Sequence, residues 1–110
     1  MALRKMARWM DSVDERILEY LDETDGAVTA WEIAHDLEGT TRLRARERCR
    51  VLARAGFTVV VPREPLTEKY DITGCGQRYL LGEVDAKHRR PLPAARPPEA
   101  VRPGWYAGFG

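Results

Sequence analysis

Two cysteines and two histidines are all that this 110-residue chain offers for disulfide bonding or soft metal ligation. Two thiols are too few for a disulfide framework, and Cys49 and Cys75 both fall in stretches read as helix, so reduced thiols are expected. Tetrahedral metal sites draw their ligands in close pairs, whereas Cys49, Cys75, His35 and His88 stand singly, and neither metal nor cofactor is expected. No apolar run approaches the roughly eighteen residues that span a bilayer, and the stretch from Ala2 to Trp9 lacks a signal-type apolar core. A soluble, cytoplasmic protein without a membrane partner follows. Also missing are paired carboxylates, nucleophile–base pairs and a phosphate-binding glycine loop, which argues against an enzyme and leaves no small-molecule ligand evident.

The length suits one small domain. From Ala86 onward five of the seven prolines and five basic residues gather against a lone Glu99, with no periodic apolar stripe, so residues 86–110 read as a disordered tail. That tail ends in Trp105, Tyr106 and Phe109, aromatics that either dock on a surface or are incidental. Residues 1–10 form a basic lead, and residues 11–85 form the expected domain.

Within that domain the helix signals come first. Ser12 and Glu15 have capping-box spacing, and Val13, Ile17, Tyr20 and Leu21 recur at helical intervals as far as Asp25-Gly26. Thr29 and Glu32 repeat the spacing before Ile33, Ala34 and Leu37, a short stripe that stops at Gly39. Thr41 caps a third helix, which ends near Ala55 because Gly56 can take the left-handed conformation past a helix end. Phe57 to Val61 reads as a strand broken by Pro62-Arg63-Glu64-Pro65, and Lys69 to Thr73 resumes an extended pattern, giving a two-stranded hairpin with its tip near Pro62–Thr67. Thr73 then caps a short closing helix through Gln77, Tyr79, Leu80 and Leu81, weakened in its first turn by Gly74 and Gly76.

Charge is unevenly distributed along this order. Residues 1–39 hold four basic and ten acidic side chains, residues 40–56 six arginines and one glutamate, and residues 57–110 eight basic and six acidic, so a net charge of +1 conceals a basic third helix. Unrolled at 100 degrees per residue, that helix puts Ala45, Cys49 and Leu52 on one strip and Leu43, Arg46, Glu47, Arg50 and Arg54 broadly opposite. Small residues on the inner strip imply close packing, and the outer face is rich in donors suited to phosphates and guanine edges.

Three helices, a hairpin and a closing helix in this order give a mainly α fold with a small β-hairpin, the arrangement of a winged helix-turn-helix domain. Ile33-Ala34-x-x-Leu37, the Thr41-to-Leu52 helix and Ala55-Gly56-Phe57 resemble the helix-turn-helix and turn into the wing of prokaryotic winged-helix regulators. Trp9-Met10 ahead of Asp14-Glu15-Arg16-Ile17-Leu18-Glu19-Tyr20-Leu21, then Arg48-Cys49-Arg50, then Tyr70-Asp71-Ile72-Thr73-x-x-Gly76-x-x-Tyr79-Leu80-x-Gly82-Glu83-Val84-Asp85, resemble more closely the haloarchaeal phage phi-H repressor-like family. The resemblance spans roughly residues 6–85 and implies an archaeal transcriptional regulator, a repressor of phage or host promoters.

The expected partner is therefore double-stranded DNA. Thr41 and Arg42 would sit near phosphates or base edges at the amino end of the third helix, and Leu43 would suit a thymine methyl. Arg46 and Arg50 would read bases, with Arg44, Arg48 and Arg54 at the flanks, on phosphates or on the acidic first helix. Glu47 either accepts from cytosine or, as the blander reading, pairs with Arg50 or Arg54 within the helix. Arg63 and Lys69 in the wing would grip the minor groove or the backbone. One module this small buries little DNA, so a homodimer on a palindrome is expected, with Leu3–Met10 and the closing helix near Tyr79 and Leu80 as candidate dimer surfaces. The competing class is a winged-helix protein-interaction module that does not read DNA.

Overall fold

A computed structural model describes residues 3–64 and 67–93. Helix α1 (Ser12–Glu23) is followed by a strand β1 of two residues (Val28–Thr29), then α2 (Ala30–Asp36) and α3 (Arg42–Ala55). Strands β2 (Thr58–Glu64) and β3 (Thr67–Ile72) form the wing, and α4 (Gly74–Leu80) closes the domain ahead of a 3-10 turn at Ala86–His88. The sheet is antiparallel in the order β1-β3-β2.

The helix starts follow from side chains that satisfy free N–H groups. Thr29, Thr41 and Thr73 accept from the backbone N–H three residues on, capping α2, α3 and α4 as expected. At α1 the expected cap is corrected by one residue. Asp11, not Ser12, is the N-cap, and Asp14 returns to the Asp11 N–H at 2.8 Å, so Asp11 and Asp14 form the box. Glu15 is thereby free to accept from the Tyr79 hydroxyl at 2.9 Å. Gly56, at φ 91, ends α3 in the left-handed conformation.

Two features of the sheet depart from the sequence reading. Val28 pairs with Tyr70 and Thr29 with Lys69, adding a third strand too short to produce an alternating pattern. Strand β2 also runs through Pro62, expected to break it, as far as Glu64. It can do so because β2 is an edge strand, where a missing N–H leaves no ladder partner unsatisfied, and the register shifts between Pro62 and Glu64.

The core lies between the helices and the inner face of the sheet. Ile17, Leu18 and Leu21 of α1, Ile33 of α2 and Ala45, Cys49 and Leu52 of α3 are all fully buried, together with Phe57, Ile72 and Tyr79. Phe57 stacks on Tyr79 with ring centroids 5.1 Å apart, and the Trp9 ring lies 5.9 Å from that of Phe57. Gly76 permits this closeness. A Cβ there would stand 2.3 Å from the Phe57 carbonyl oxygen, so the glycine in the first turn of α4 serves the approach of that helix to the base of the wing.

The two chain segments flanking the domain meet. Lys5 bridges Asp85 in parallel, the Ala86 N–H donates to the Lys5 carbonyl at 2.9 Å, and the Trp9 indole donates to the Ala86 carbonyl at 3.0 Å. Of the tail read as beginning at Ala86, three residues are tied to the domain: Ala86 is fully buried, Arg89 Nε donates to the Ala55 carbonyl at 3.2 Å, and the Leu92 N–H donates to that of Arg54 at 3.0 Å. Trp105, Tyr106 and Phe109 lie outside the described residues. Tyr79, offered as a dimer contact, is corrected: its side chain is fully buried and belongs to the core.

Candidate nucleic-acid interface

Helix α3 divides cleanly into two faces. Ala45, Cys49, Leu52, Ala53 and Ala55 are buried, while Thr41, Arg42, Leu43, Arg44, Arg46, Glu47 and Arg50 are exposed. Leu43 at 72 % exposure is a large apolar side chain held in water at the amino end of the helix. Burial pushes the Cys49 thiol well above its ordinary range, so it stays a neutral core group.

The arginines are not equivalent. Arg48 turns inward, donating through Nε and Nη2 to the fully buried Asp14 carboxylate of α1 at 2.8 and 2.7 Å. Arg44 pairs with Asp11, the α1 cap. These flanking cations thus tie α3 to the acidic first helix. Arg42 is exposed and makes no ion pair among the described residues, and the Arg54 Nε is buried without a hydrogen-bond partner.

Arg46 and Arg50 converge on a residue that the sequence reading did not single out. Arg50 Nε donates to Glu68 Oε1 on β3 at 3.1 Å and its Nη2 donates to Oε2, while Arg46 Nε lies 3.6 Å from Oε1. The Tyr70 hydroxyl donates to the same carboxylate at 2.8 Å. The bond from Arg50 holds the Glu68 carboxyl down at about 2, against an ordinary value of 4.5. Burial, with the Glu68 bond second, pushes the Tyr70 phenol up. Glu68 and Tyr70 are two apart and therefore share a strand face, a local signal of their proximity. Which helix that face meets is set by the tertiary packing.

Glu47 stands beside this cluster. No ion pair joins it to Arg50 or Arg54 among the described residues, so the intrahelical pairing expected for it is not present. Glu47, Arg50, Arg54 and Glu68 instead line an open cleft of about 360 Å³ together with Ala53, Val60 and Pro93. Two cations and two anions make the charge of this lining balanced. Lys69 is separated from the arginines. It is next to Glu68 in β3, so its side chain leaves by the opposite face of the sheet. The Arg63 side chain lies outside the described residues.

An exposed basic face on the third helix, a wing against its carboxyl half and a closing helix under the wing form the geometry against which known proteins can be compared. A profile of the winged helix-turn-helix phage repressor family matches residues 3–89, most of the chain. The chain belongs to that family. Its fold also matches the crystal structure of the PhiH1 repressor-like protein from Haloarcula marismortui, with a TM-score of 0.69 and 29% identity, over 84% of this chain and 100% of that one. Curated proteins provide no match. The phi-H repressor-like resemblance and the winged-helix fold expected from the sequence are therefore both found. Among the described residues of this winged helix-turn-helix domain, no helix is long and apolar enough to cross a membrane, and no cluster of metal-ligating side chains occurs.

Proposed function

We propose that this protein is a sequence-specific double-stranded DNA-binding regulator of transcription, acting as a repressor in the cytoplasm, with α3 as the helix that enters the major groove. The observation that carries this reading is the exposed face of α3, where Arg42, Leu43 and Glu47 are exposed beside Arg46 and Arg50, which stay accessible while pairing with Glu68, and the opposite face is sealed in the core. Pure charge balance with the acidic α1 accounts for Arg44 and Arg48, which it engages, but leaves Arg42, Arg46 and Arg50 on the outer side. Arg42 and Thr41 suit phosphates near the helix start, Arg46 and Arg50 suit guanine edges one turn apart, and Leu43 suits a thymine methyl. Arg63 in the wing and Lys69 behind it are assigned to the adjacent minor groove or the duplex backbone. A homodimer on a palindromic site would supply the specificity that one such module lacks.

The test is fluorescence anisotropy on the duplex upstream of the protein's own gene and on a scrambled duplex, over a salt series, with wild type and the Arg46→Ala/Arg50→Ala double variant. Selective binding that the double variant loses is expected. Equal, weak binding to both duplexes, unchanged in the variant, would instead make α3 a protein-docking face and the molecule an interaction module.

A further inference from the structure

Arg50 reaches solvent with part of its donor set already committed. A guanidinium carries five N–H donors in a rigid fork. Nε and one Nη2 proton are engaged by Glu68, leaving the edge formed by Nη1 and the second Nη2 proton unoccupied by that carboxylate. That free edge has two parallel donors, the pattern that matches O6 and N7 of guanine. Glu68 is fixed in turn from below, because the hydroxyl that donates to it belongs to Tyr70, a residue 1% exposed and paired on both sides within the sheet. A chain of contacts thus runs from the core through Tyr70 and Glu68 to the tip of Arg50.

The same carboxylate has a second effect. Duplex phosphates attract any cation irrespective of sequence, and each neutralised phosphate adds to the salt dependence of binding. Glu68 places a negative charge against Arg50 and within 3.6 Å of Arg46, which weakens their attraction to phosphate. A base edge offers Arg50 acceptors of fixed direction, and an arginine held in one orientation engages them at a smaller entropy loss. Holding and charge cancellation therefore favour the same outcome, tight binding only where the base matches.

We propose that Glu68 is a specificity-determining positioning residue, which presents the free edge of Arg50 to a base and suppresses sequence-independent binding by Arg46 and Arg50. This rests on the reading of α3 as the DNA-contacting helix. Because Arg50 holds the Glu68 carboxyl below its ordinary 4.5, it remains charged throughout the neutral range, and its restraint is set by salt and by DNA rather than by pH.

The experiment compares wild type, Glu68→Gln and Tyr70→Phe on a duplex recovered from a random library by the wild-type protein and on random-sequence duplex, across a salt series. In parallel, nitrogen-15 spectra of the DNA-free proteins follow the Arg50 Nε–H signal. Glu68→Gln should bind random duplex more tightly, with a salt slope steeper by about one, and should lose roughly 5-fold or more of the preference for the selected duplex. Tyr70→Phe should shift both quantities the same way by less. The Arg50 Nε–H should exchange slowly with water in wild type and rapidly in Glu68→Gln. Enrichment of a sequence by wild type, together with a Glu68→Gln variant of unchanged preference and slope, would overturn the role of Glu68 alone. If wild type enriches no sequence while its Arg50 Nε–H is still protected, the DNA-reading function itself fails, and the specificity role falls with it.

Discussion

Arg48 and Asp14 form a side-on, two-point ion pair across the interface of α3 and α1, with the carboxylate fully buried and the guanidinium side chain only 13% exposed. Asp14 simultaneously accepts from the Asp11 N–H, so one side chain both caps a helix and receives a cation. Burial pushes the Asp14 carboxyl up and the Arg48 guanidinium opposes that shift. Removing the cation alone leaves an uncompensated buried charge. Arg48→Ala is therefore expected to cost about 3–5 kcal/mol. Arg44→Ala, which breaks a pair with half-exposed Asp11, should cost at most about 1 kcal/mol. Urea denaturation of the two variants decides this, and equal losses would show that the buried pair has no special weight.

Gly76→Ala should destabilise the domain by about 1–3 kcal/mol, since the added methyl meets backbone that cannot rotate away. Alanine ordinarily favours a helix over glycine, so a thermal melt showing stabilisation would mean that α4 stands farther from Phe57 than its 2.3 Å Cβ clearance implies.

Glu68 should titrate at about 2 in carbon-13 carboxyl spectra of wild type, and should move toward 4.5 in Arg50→Ala. The sign follows from the depressed folded value. This carboxylate contributes stability above its ordinary 4.5, and the contribution disappears as pH falls from there through about 2. A titration unchanged by Arg50→Ala would show that the ion pair is not formed in solution.

Residues 87–93 should contribute to stability. Arg89 places a cation at the carboxyl end of α3 and donates to the Ala55 carbonyl, which has no partner within the helix, and the Leu92 N–H does the same for the carbonyl of Arg54. A chain ending at Ala86 should melt below one ending at Pro93, and Arg89→Ala should lose about 0.5–1.5 kcal/mol. Identical melting of the two truncations would remove any role for this segment.

Cys49 should resist thiol reagents in the native protein, being fully buried with its ionisation opposed by burial, and should react only on unfolding. Rapid labelling without loss of structure would contradict the packing of α3 on α1.

The features legible in the sequence were the local ones. Thr29, Thr41 and Thr73 cap the helices they precede, Gly56 ends α3, and the Ala45-Cys49-Leu52 strip faces inward, because each depends on residues within a turn or two of its own position. What escaped depends on distant parts of the chain. Val28-Thr29 becomes a strand only because Tyr70 and Lys69 lie alongside it. Glu68 is an ordinary strand carboxylate until β3 is laid against α3, and Tyr79 reads as surface until Phe57 is stacked on it. The Ser12 and Asp11 alternatives for the α1 cap have the same spacing, and the Arg48 contact to Asp14, invisible along the chain, favours the earlier one.

Thr29 belongs to two elements at once, pairing with Lys69 in the sheet and capping α2 through its hydroxyl. The helix pair and the wing are consequently riveted at the point where a hinge would otherwise sit, and opening the angle between them would require breaking a ladder and a cap together. If α3 enters a duplex groove as proposed, a domain joined in this way acts as a fixed-jaw calliper: the groove would have to widen, narrow or bend to the spacing of the jaws, and the stiffness of the object gripped would become part of what is measured.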